Sequence, residues 1–361
     1  MKRKISLYTK TGKRAATAYY RLYQYISEER YDIRYRKMLS DEMYMHVMPI
    51  YTKPIVVKIF IFIYCYFRVL FQLLKDCIWK PEVVILSRRF LNRFFPISYK
   101  LLLKYIISQG ATLIWDYDDE IIETKEVSRK SFDYLSEKAY KIIVASPHNI
   151  EMIDEKYKHK VHLLPTTDGS MYFRLNDSIR KDRIELYKRE FRIIWVGTSV
   201  SLNYVEKICS GIENAASRIQ TPIILTVISN KPLEYSAKNF LLQNITWERE
   251  IAISEMLKSH IGIMPLENNQ MTQGKGGFKL IQYLSVGLPV ISSAVGINTL
   301  IVNSDVGFLC DNLDTYQWSD AIIKLADNSC KWENMSVNAY NLWLEKFSFN
   351  NNLRIWRSLI E

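Results

Sequence analysis

A chain of 361 residues, 48% of them apolar, is long enough for two domains and apolar enough for two cores. Its five cysteines are odd in number and include no C-x-x-C pair, which argues against disulfide and zinc frameworks and fits a reducing compartment. The formal net charge of +11 is unevenly placed: residues 1–115 hold 21 Lys and Arg against 7 Asp and Glu, whereas residues 193–361 hold 13 against 15. A basic first half expects an anionic partner, for which nucleic acid, an anionic membrane and a lipid pyrophosphate all qualify. No zinc finger, RNP-type aromatic motif or homeodomain pattern supports nucleic acid, so that partner is set aside.

The first half alternates strands with helices. Lys4–Tyr8 reads as a strand and not as a signal peptide, because no apolar core follows the basic start. Ala15–Ser27 reads as a helix, Val83–Ser87 as an apolar strand and Tyr99–Gln109 as a helix. Ala111–Trp115 is a strand that runs into acidic residues. Lys141–Ala145 is a strand followed by a helix, with Ser146 as N-cap and Pro147 at the first helical position. Val161–Leu164 closes the series, and residues 174–190 read as a charged connector. A second series has strands at Ile193–Val196, Ile223–Ile228, Ile261–Met264, Val290–Ser292 and Gly307–Leu309. Its helices fall near Ser201–Arg218, Ile251–Lys258, Asp314–Ala326 and Lys331–Glu345, and a last helix spans Asn350–Ile360. Short apolar strands between helices predict two doubly wound parallel sheets, an α/β architecture with ligands at the carboxyl ends of the strands.

Residues 55–79 stand apart. Ile55–Leu74 is apolar except for Lys58, Arg68 and Gln72, and about 20 mostly apolar residues suffice to span a bilayer. On a helix of 3.6 residues per turn, Lys58, Arg68, Gln72, Lys75 and Asp76 fall within about 100° of arc. The remaining arc carries Phe60, Phe62, Tyr64, Tyr66, Phe67 and Phe71. Three placements fit this pattern: a core helix with a thin wet face, a membrane span, and a helix in the membrane interface with snorkelling basic residues. The surrounding basic surplus favours the membrane interface.

The run Gly274-Lys275-Gly276-Gly277-Phe278-Lys279 opens a short amphipathic helix over 277–286, which ends at Gly287 before the strand at Val290. Free N–H groups and the helix dipole at such a start hold phosphate or diphosphate. The spacing is neither that of an ATPase P-loop nor a dinucleotide fingerprint. Lys275 and Lys279 flank the start, and a lysine in a first helical turn opposes the dipole unless an anion is bound. Among the five histidines none falls in a Ser/Asp/His arrangement, so hydrolase chemistry has no support.

The segment GKGGFKLIQYLSVGLPVISSAVGIN resembles the donor-binding signature of the GT-B glycosyltransferases of family 4, the retaining, nucleotide-sugar-dependent class. Four further segments fall where such an enzyme has them: AYYRLYQYI, VVILSRR, IWDYDDEI and the strand-loop Ile194–Ser199. The resemblance covers nearly the whole chain. It departs at one point: Gly274 and Gln282 stand where the family usually has two glutamates. It implies a GT-B fold of two Rossmann-like domains facing a central cleft. The expected division is an acceptor-side domain over 1–185, a nucleotide-sugar domain over 186–345 and a helix over 346–361 crossing back to the first. It also implies transfer of a sugar from a nucleotide-diphosphate sugar to a hydroxyl of a glycan or lipid-linked glycan. The setting implied is surface polysaccharide assembly of the capsule or O-antigen kind, at the inner face of a bacterial membrane. The site residues expected are Asp118, Asp119, Lys275 and Lys279 for catalysis. Gly197, Thr198, Trp247, Arg249, Glu267, Gly274, Gly276, Gly277, Phe278 and Gln282 are expected at the donor, and Arg21 and Arg88 at the acceptor. No metal or other cofactor is expected. Asp116-x-Asp118 also resembles the metal signature of the GT-A fold, but the diphosphate site is already supplied by the second half. The rivals are a nucleotide-sugar 2-epimerase and a non-catalytic GT-B partner subunit.

Overall fold

The computed structural model describes residues 2–13, 16–47 and 50–361. The chain forms two compact units. The first comprises 1–165 with 274–276 and 353–361, and the second comprises 166–273 and 277–352.

In the first unit, β1 (Lys4–Thr9), β2 (Asp32–Lys37), β3 (Val83–Ser87), β4 (Thr112–Tyr117), β5 (Lys141–Val144) and β6 (Val161–Leu163) form one parallel sheet. Its order is β2-β1-β3-β4-β5-β6, so the strand order reverses between β1 and β3. The central strands are buried and largely apolar because both faces are covered. β2 escapes sequence reading for the opposite reason. It is an edge strand with the sequence DIRYRK, half-buried and without apolar alternation. The first helix is irregular, with an α-turn at Ala16–Ala18 running into a π-turn at Tyr19–Tyr23. Ala15, the expected start, lies outside the described residues.

The long helix spans Ile55–Trp79, and part of its polar stripe faces inward. Ile61, Cys65, Val69, Leu73 and Asp76 are its buried residues. The Asp76 carboxylate is fully buried, accepts a 2.6 Å hydrogen bond from the Tyr8 hydroxyl and is paired with Arg36. Arg68 Nε and Gln72 Nε2 donate to the Lys37 carbonyl of β2, at 2.9 and 3.0 Å. The aromatic arc points out: Phe60 is 74% exposed and Phe71 58%. Arg68, Gln72 and Asp76 of the expected wet stripe therefore pack inward, because the edge strand β2 supplies polar partners, while Lys75 is exposed. This helix is long and apolar enough to cross a membrane, yet one face is fixed to the first core.

In the second unit, β7 (Phe191–Val196), β8 (Ile223–Ser229), β9 (Leu241–Thr246), β10 (Ile261–Met264), β11 (Val290–Ser293) and β12 (Gly307–Cys310) form the other parallel sheet. The order β12-β11-β10-β7-β8-β9 reverses between β7 and β10. Residues 174–190 are not a connector. They contain the helix Asp177–Tyr187, begun by Asn176, whose side chain accepts from the Ile179 N–H. Its charged surface hid one buried side chain, Arg183. That guanidinium donates to the Leu257 carbonyl at 3.0 and 3.1 Å and to the Val286 and Gly287 carbonyls at 3.0 and 3.2 Å. It thereby satisfies the carboxyl ends of two helices, Arg249–Lys258 and Phe278–Ser285. Burial pushes the Arg183 guanidinium down to about 9. The last helix is Phe349–Ile360, and its terminal Glu361 is paired with Arg30 of the first unit.

Candidate donor and acceptor sites

The second unit builds its candidate site on the end of β7. The helix Phe278–Ser285 begins after Gly277, whose φ of +66° is left-handed and which offers no side-chain cap. A Cβ there would also meet Ile301 Cδ1 at 2.5 Å. An anion at such a start would face the positive end of the helix dipole. The helix is set down on the sheet through Tyr283, whose buried hydroxyl accepts from the Val196 N–H at 3.0 Å. Gly262 of β10 makes room for that ring, since a Cβ there would lie 2.3 Å from it.

This places Lys279 over the indole of Trp195, with Nζ 4.4 Å from a ring centroid. Gly197 follows β7 directly beside both, and a Cβ on it would sit 2.6 Å from Lys279 Nζ and 2.6 Å from the Trp195 ring. The loop is fastened to β8: Gly197 N–H donates to Ile228 O at 2.9 Å, and Ser199 N–H donates to Asn230 Oδ1 at 2.8 Å. Gly197 and Lys279 thus meet at the point where the strand order reverses, and exposed Thr198 lies next to them in the chain. That is where doubly wound sheets bind ligands. Sequence reading missed Trp195 as the seat of the lysine, although an aromatic residue two before a strand-end glycine was its signal.

The other donor candidates sit as follows. Trp247 is 52% exposed just after β9. Arg249 opens the next helix and donates to Asp168 at 3.1 and 3.2 Å and to Ser170 Oγ at 2.8 Å. Asp168 is buried, and nothing in its local sequence marked it. Glu267 is partly exposed and paired with Lys207, so its carboxylate carries a partner of its own. Phe278 and Gln282 lie half-buried on the short helix.

Gly274–Gly276 belongs to the first unit and packs beyond the end of its β4. A Cβ on Gly274 would lie 2.6 Å from Glu120 Cβ, and one on Gly276 2.8 Å from Ala145 Cβ. These two glycines are required by close packing, whereas Gly277 is required by its backbone angle. The charge of Lys275 acts on Asp119, pulling its pKa down. Burial and the neighbouring Asp118 push it up more strongly, and the net shift is upward.

The acidic run divides between two arginines. Asp116 lies within β4 rather than beyond it, fully buried. Arg21 Nε donates to its two oxygens at 2.9 and 3.0 Å, and Nη1 donates to Leu164 O at 3.0 Å. Burial opposes the Arg21 charge, but Asp116 outweighs it and the guanidinium pKa is raised. Arg21 is 3% exposed, so the expected acceptor contact gives way to an internal ion pair. Arg88 has a left-handed φ of +58° that turns it from β3 toward the acidic run. It donates to Asp118 at 2.5 and 2.9 Å, to Asp119 at 2.5 Å and to Glu126 at 3.2 Å. Asp118, Asp119 and Arg88 therefore form one cluster at the sheet's carboxyl edge, and Arg21 with Asp116 forms another beneath it.

Two Rossmann-like units, each with a six-stranded parallel sheet, define the GT-B fold class. Residues 190–328 match the family described as glycosyl transferases group 1, which marks the second unit as a glycosyltransferase domain and the chain as a transferase. No curated protein sequence matches the chain. Among solved structures, HepE of Anabaena in complex with UDP is 12% identical, covers 99% of both chains and superposes with a TM-score of 0.67. Sucrose-phosphate synthase of Thermosynechococcus elongatus is 11% identical over 99% of both chains, with a TM-score of 0.65. WaaG, a glycosyltransferase involved in lipopolysaccharide biosynthesis, is 11% identical, with 80% of this chain and 94% of that one covered and a TM-score of 0.52. At these identities the likeness speaks for the fold.

Proposed function

We propose that the protein transfers a sugar from a nucleotide-diphosphate sugar to a hydroxyl of a glycan or lipid-linked glycan, with retention of configuration. The observation that carries this is Lys279, in the first turn of the Phe278–Ser285 helix, held over Trp195 and beside Gly197 at the end of β7. That start and its lysine suit a diphosphate leaving group, whose charge grows as the glycosidic bond breaks. The acceptor oxygen bonds to the anomeric carbon, the bond from that carbon to the diphosphate breaks, and a departing phosphate oxygen takes the acceptor's proton. No enzyme nucleophile and no metal enter this scheme, and Lys275 and Lys279 supply the neutralising charge. Gln282 offers uncharged hydrogen bonds to a donor diol where family 4 has a glutamate. The complex of HepE with UDP-glucose supports UDP as the first nucleotide to try.

The acceptor reading rests on the Arg88–Asp118–Asp119 cluster and the basic first half. The outward aromatic face of Ile55–Trp79 supports a peripheral place on the inner face of the cell membrane, which suits assembly of a surface polysaccharide. Calorimetric titration with UDP in the presence of a chelator tests the core of this reading. Lys275→Ala is expected to weaken binding by about 1.5–3 kcal/mol, the worth of a charge-assisted bond. Unchanged affinity in Lys275→Ala, or UDP binding only when a divalent metal is restored, would overturn it.

A further inference from the structure

The strand order of the first sheet also reverses once, between β1 and β3, and the chain places cations there. Lys10 follows β1, and Arg88 and Arg89 follow β3. A cavity of about 310 Å³ opens at this point, bordered by Lys10, Ser87, Arg88, Arg89, Tyr44 and Glu126. Lys10 and Arg89 also border a second groove of about 470 Å³, which runs away along the long helix. That groove is apolar, with Met38, Ile55, Ile59, Phe62, Leu91 and Phe94 in its walls, while Lys58 and Arg93 stand with Lys10 and Arg89 as its basic members. Its size lies in the range of about 300–1,000 Å³ typical of small-molecule sites.

Three cations, Lys10, Arg88 and Arg89, border this cavity with one carboxylate, Glu126. Arg88 is occupied by Asp118, Asp119 and Glu126, and among the described residues Arg89 is paired with the same Glu126. Arg89 has a side chain only 10% exposed, and its buried Nε has no hydrogen-bond partner among the described residues. Burial and the charge of Arg88 push its pKa down to about 10. Burial, Arg89 and Arg88 likewise lower Lys10. Two half-buried cations that repel one another, one of them sharing Glu126 with Arg88, suit a further anion.

We infer that the first unit binds a single-chain lipid phosphate here, with the hydrocarbon chain in the Ile55–Phe62–Phe94 groove, the phosphate between Lys10 and Arg89, and the headgroup in the cavity beside Ser87 and Arg88. Arginine and lysine at the neck of an apolar groove match the two halves of such a molecule. The groove opens along the helix whose outer face is apolar, so a chain can enter from a bilayer surface. Assigning this ligand as the acceptor rests on the transfer reading above; its binding does not.

The test is calorimetry on the full chain with farnesyl phosphate below its micelle concentration, with farnesol, with inorganic phosphate and, separately, with UDP. Farnesyl phosphate is expected to bind at least about tenfold more tightly than farnesol or inorganic phosphate. Lys10→Gln is expected to remove about tenfold of that affinity, the loss of one charge-assisted bond. Phe94→Ser, at a side chain 60% exposed and safe for folding, is expected to weaken farnesyl phosphate and leave inorganic phosphate unchanged. Equal binding of farnesol and farnesyl phosphate would overturn the phosphate site, and equal binding of inorganic phosphate would overturn the lipid. No effect of either variant would place any binding elsewhere. A chain that binds farnesyl phosphate but not UDP would keep this site and defeat the glycosyltransferase reading; the reverse result would do the opposite.

Discussion

Replacing Gly197 by alanine tests the geometry of the donor site with one methyl group. The new Cβ would lie 2.6 Å from Lys279 Nζ and 2.6 and 2.7 Å from two atoms of the Trp195 ring. Trp195 is 1% exposed and has nowhere to go, so the backbone must shift by several tenths of an ångström. Overpacking of this kind costs about 1–3 kcal/mol. For a unit of this size that lowers the melting temperature by about 2–4 °C per kcal/mol. The lysine head, being flexible, will leave the ring. It forfeits a cation–π contact worth about 0.5–2 kcal/mol and its charge-assisted bond to the diphosphate, about 1.5–3 kcal/mol. UDP affinity should fall by about one to two orders of magnitude. Lys279→Ala separates the two effects, since it should lose the affinity and lower the melting temperature only by the lost cation–π contact, about 0.5–2 kcal/mol. Calorimetry and thermal denaturation on both variants decide the matter. A Gly197→Ala protein with wild-type melting and wild-type UDP affinity would refute the placement of loop, indole and lysine together.

Three further outcomes follow from the same structure. His260 is fully buried, its Nδ1 accepting from Arg192 N–H at 2.8 Å and its Nε2 facing Arg183 O at 3.1 Å, and burial pushes its pKa down to about 3. The unfolded chain binds that proton near pH 6.5 and the folded one refuses it, so stability is full above about 6.5 and falls toward pH 3, by about 2 kcal/mol at pH 5. Urea unfolding of wild type and His260→Gln across pH 4–8 measures this, and an equal slope in both would count against it. Arg183→Met strips donors from the buried Leu257 and Val286 carbonyls and should cost about 2–4 kcal/mol in urea unfolding, with Arg183→Lys rescuing little because one ammonium cannot reach both helix ends. Vesicle flotation should show binding to anionic vesicles that weakens with salt and drops further in Phe60→Ser with Phe71→Ser; no binding to any vesicle would leave the apolar helix face without its membrane role.

How much of this was legible depended on what each residue answers to. Strands such as Val83–Ser87 and Val290–Ser293 are read easily because two covered faces demand continuous apolar side chains. β2 was not, since an edge strand that meets a polar helix stripe is selected for charge. The glycine run was read as one anion cradle, yet Gly274 and Gly276 answer to Glu120 and Ala145, and only Gly277 answers to a backbone angle. Arg21 and Arg88 look alike in sequence. One is sealed against Asp116 and the other lies at a cavity edge, a difference set by residues 95 and 30 positions away. Arg183 was invisible because its partners are carbonyls, which carry no sequence signal.

The long helix carries the clearest lesson about function. Its polar arc was visible in the sequence, and its direction was not. In a helix that merely covers a core, Lys58, Arg68, Gln72 and Asp76 would face water and Phe60, Phe67 and Phe71 would be buried. Here Arg68 and Gln72 bond to β2, Asp76 is sealed under Tyr8 and Arg36, and the aromatic side chains are the exposed ones. Phe62 also meets Phe94 edge-on at 5.5 Å, and Ile97, Leu101 and Tyr105 continue the exposed apolar surface on the helix Ile97–Ser108. A surface of this extent is costly in water and is kept where an apolar environment covers it. The same unit holds the basic surplus of residues 1–115. Apolar area and positive charge on one unit are the two terms that bind a protein to an anionic bilayer. On the reading proposed above, cations at the β1–β3 reversal would meet the phosphate of an acceptor presented from such a bilayer.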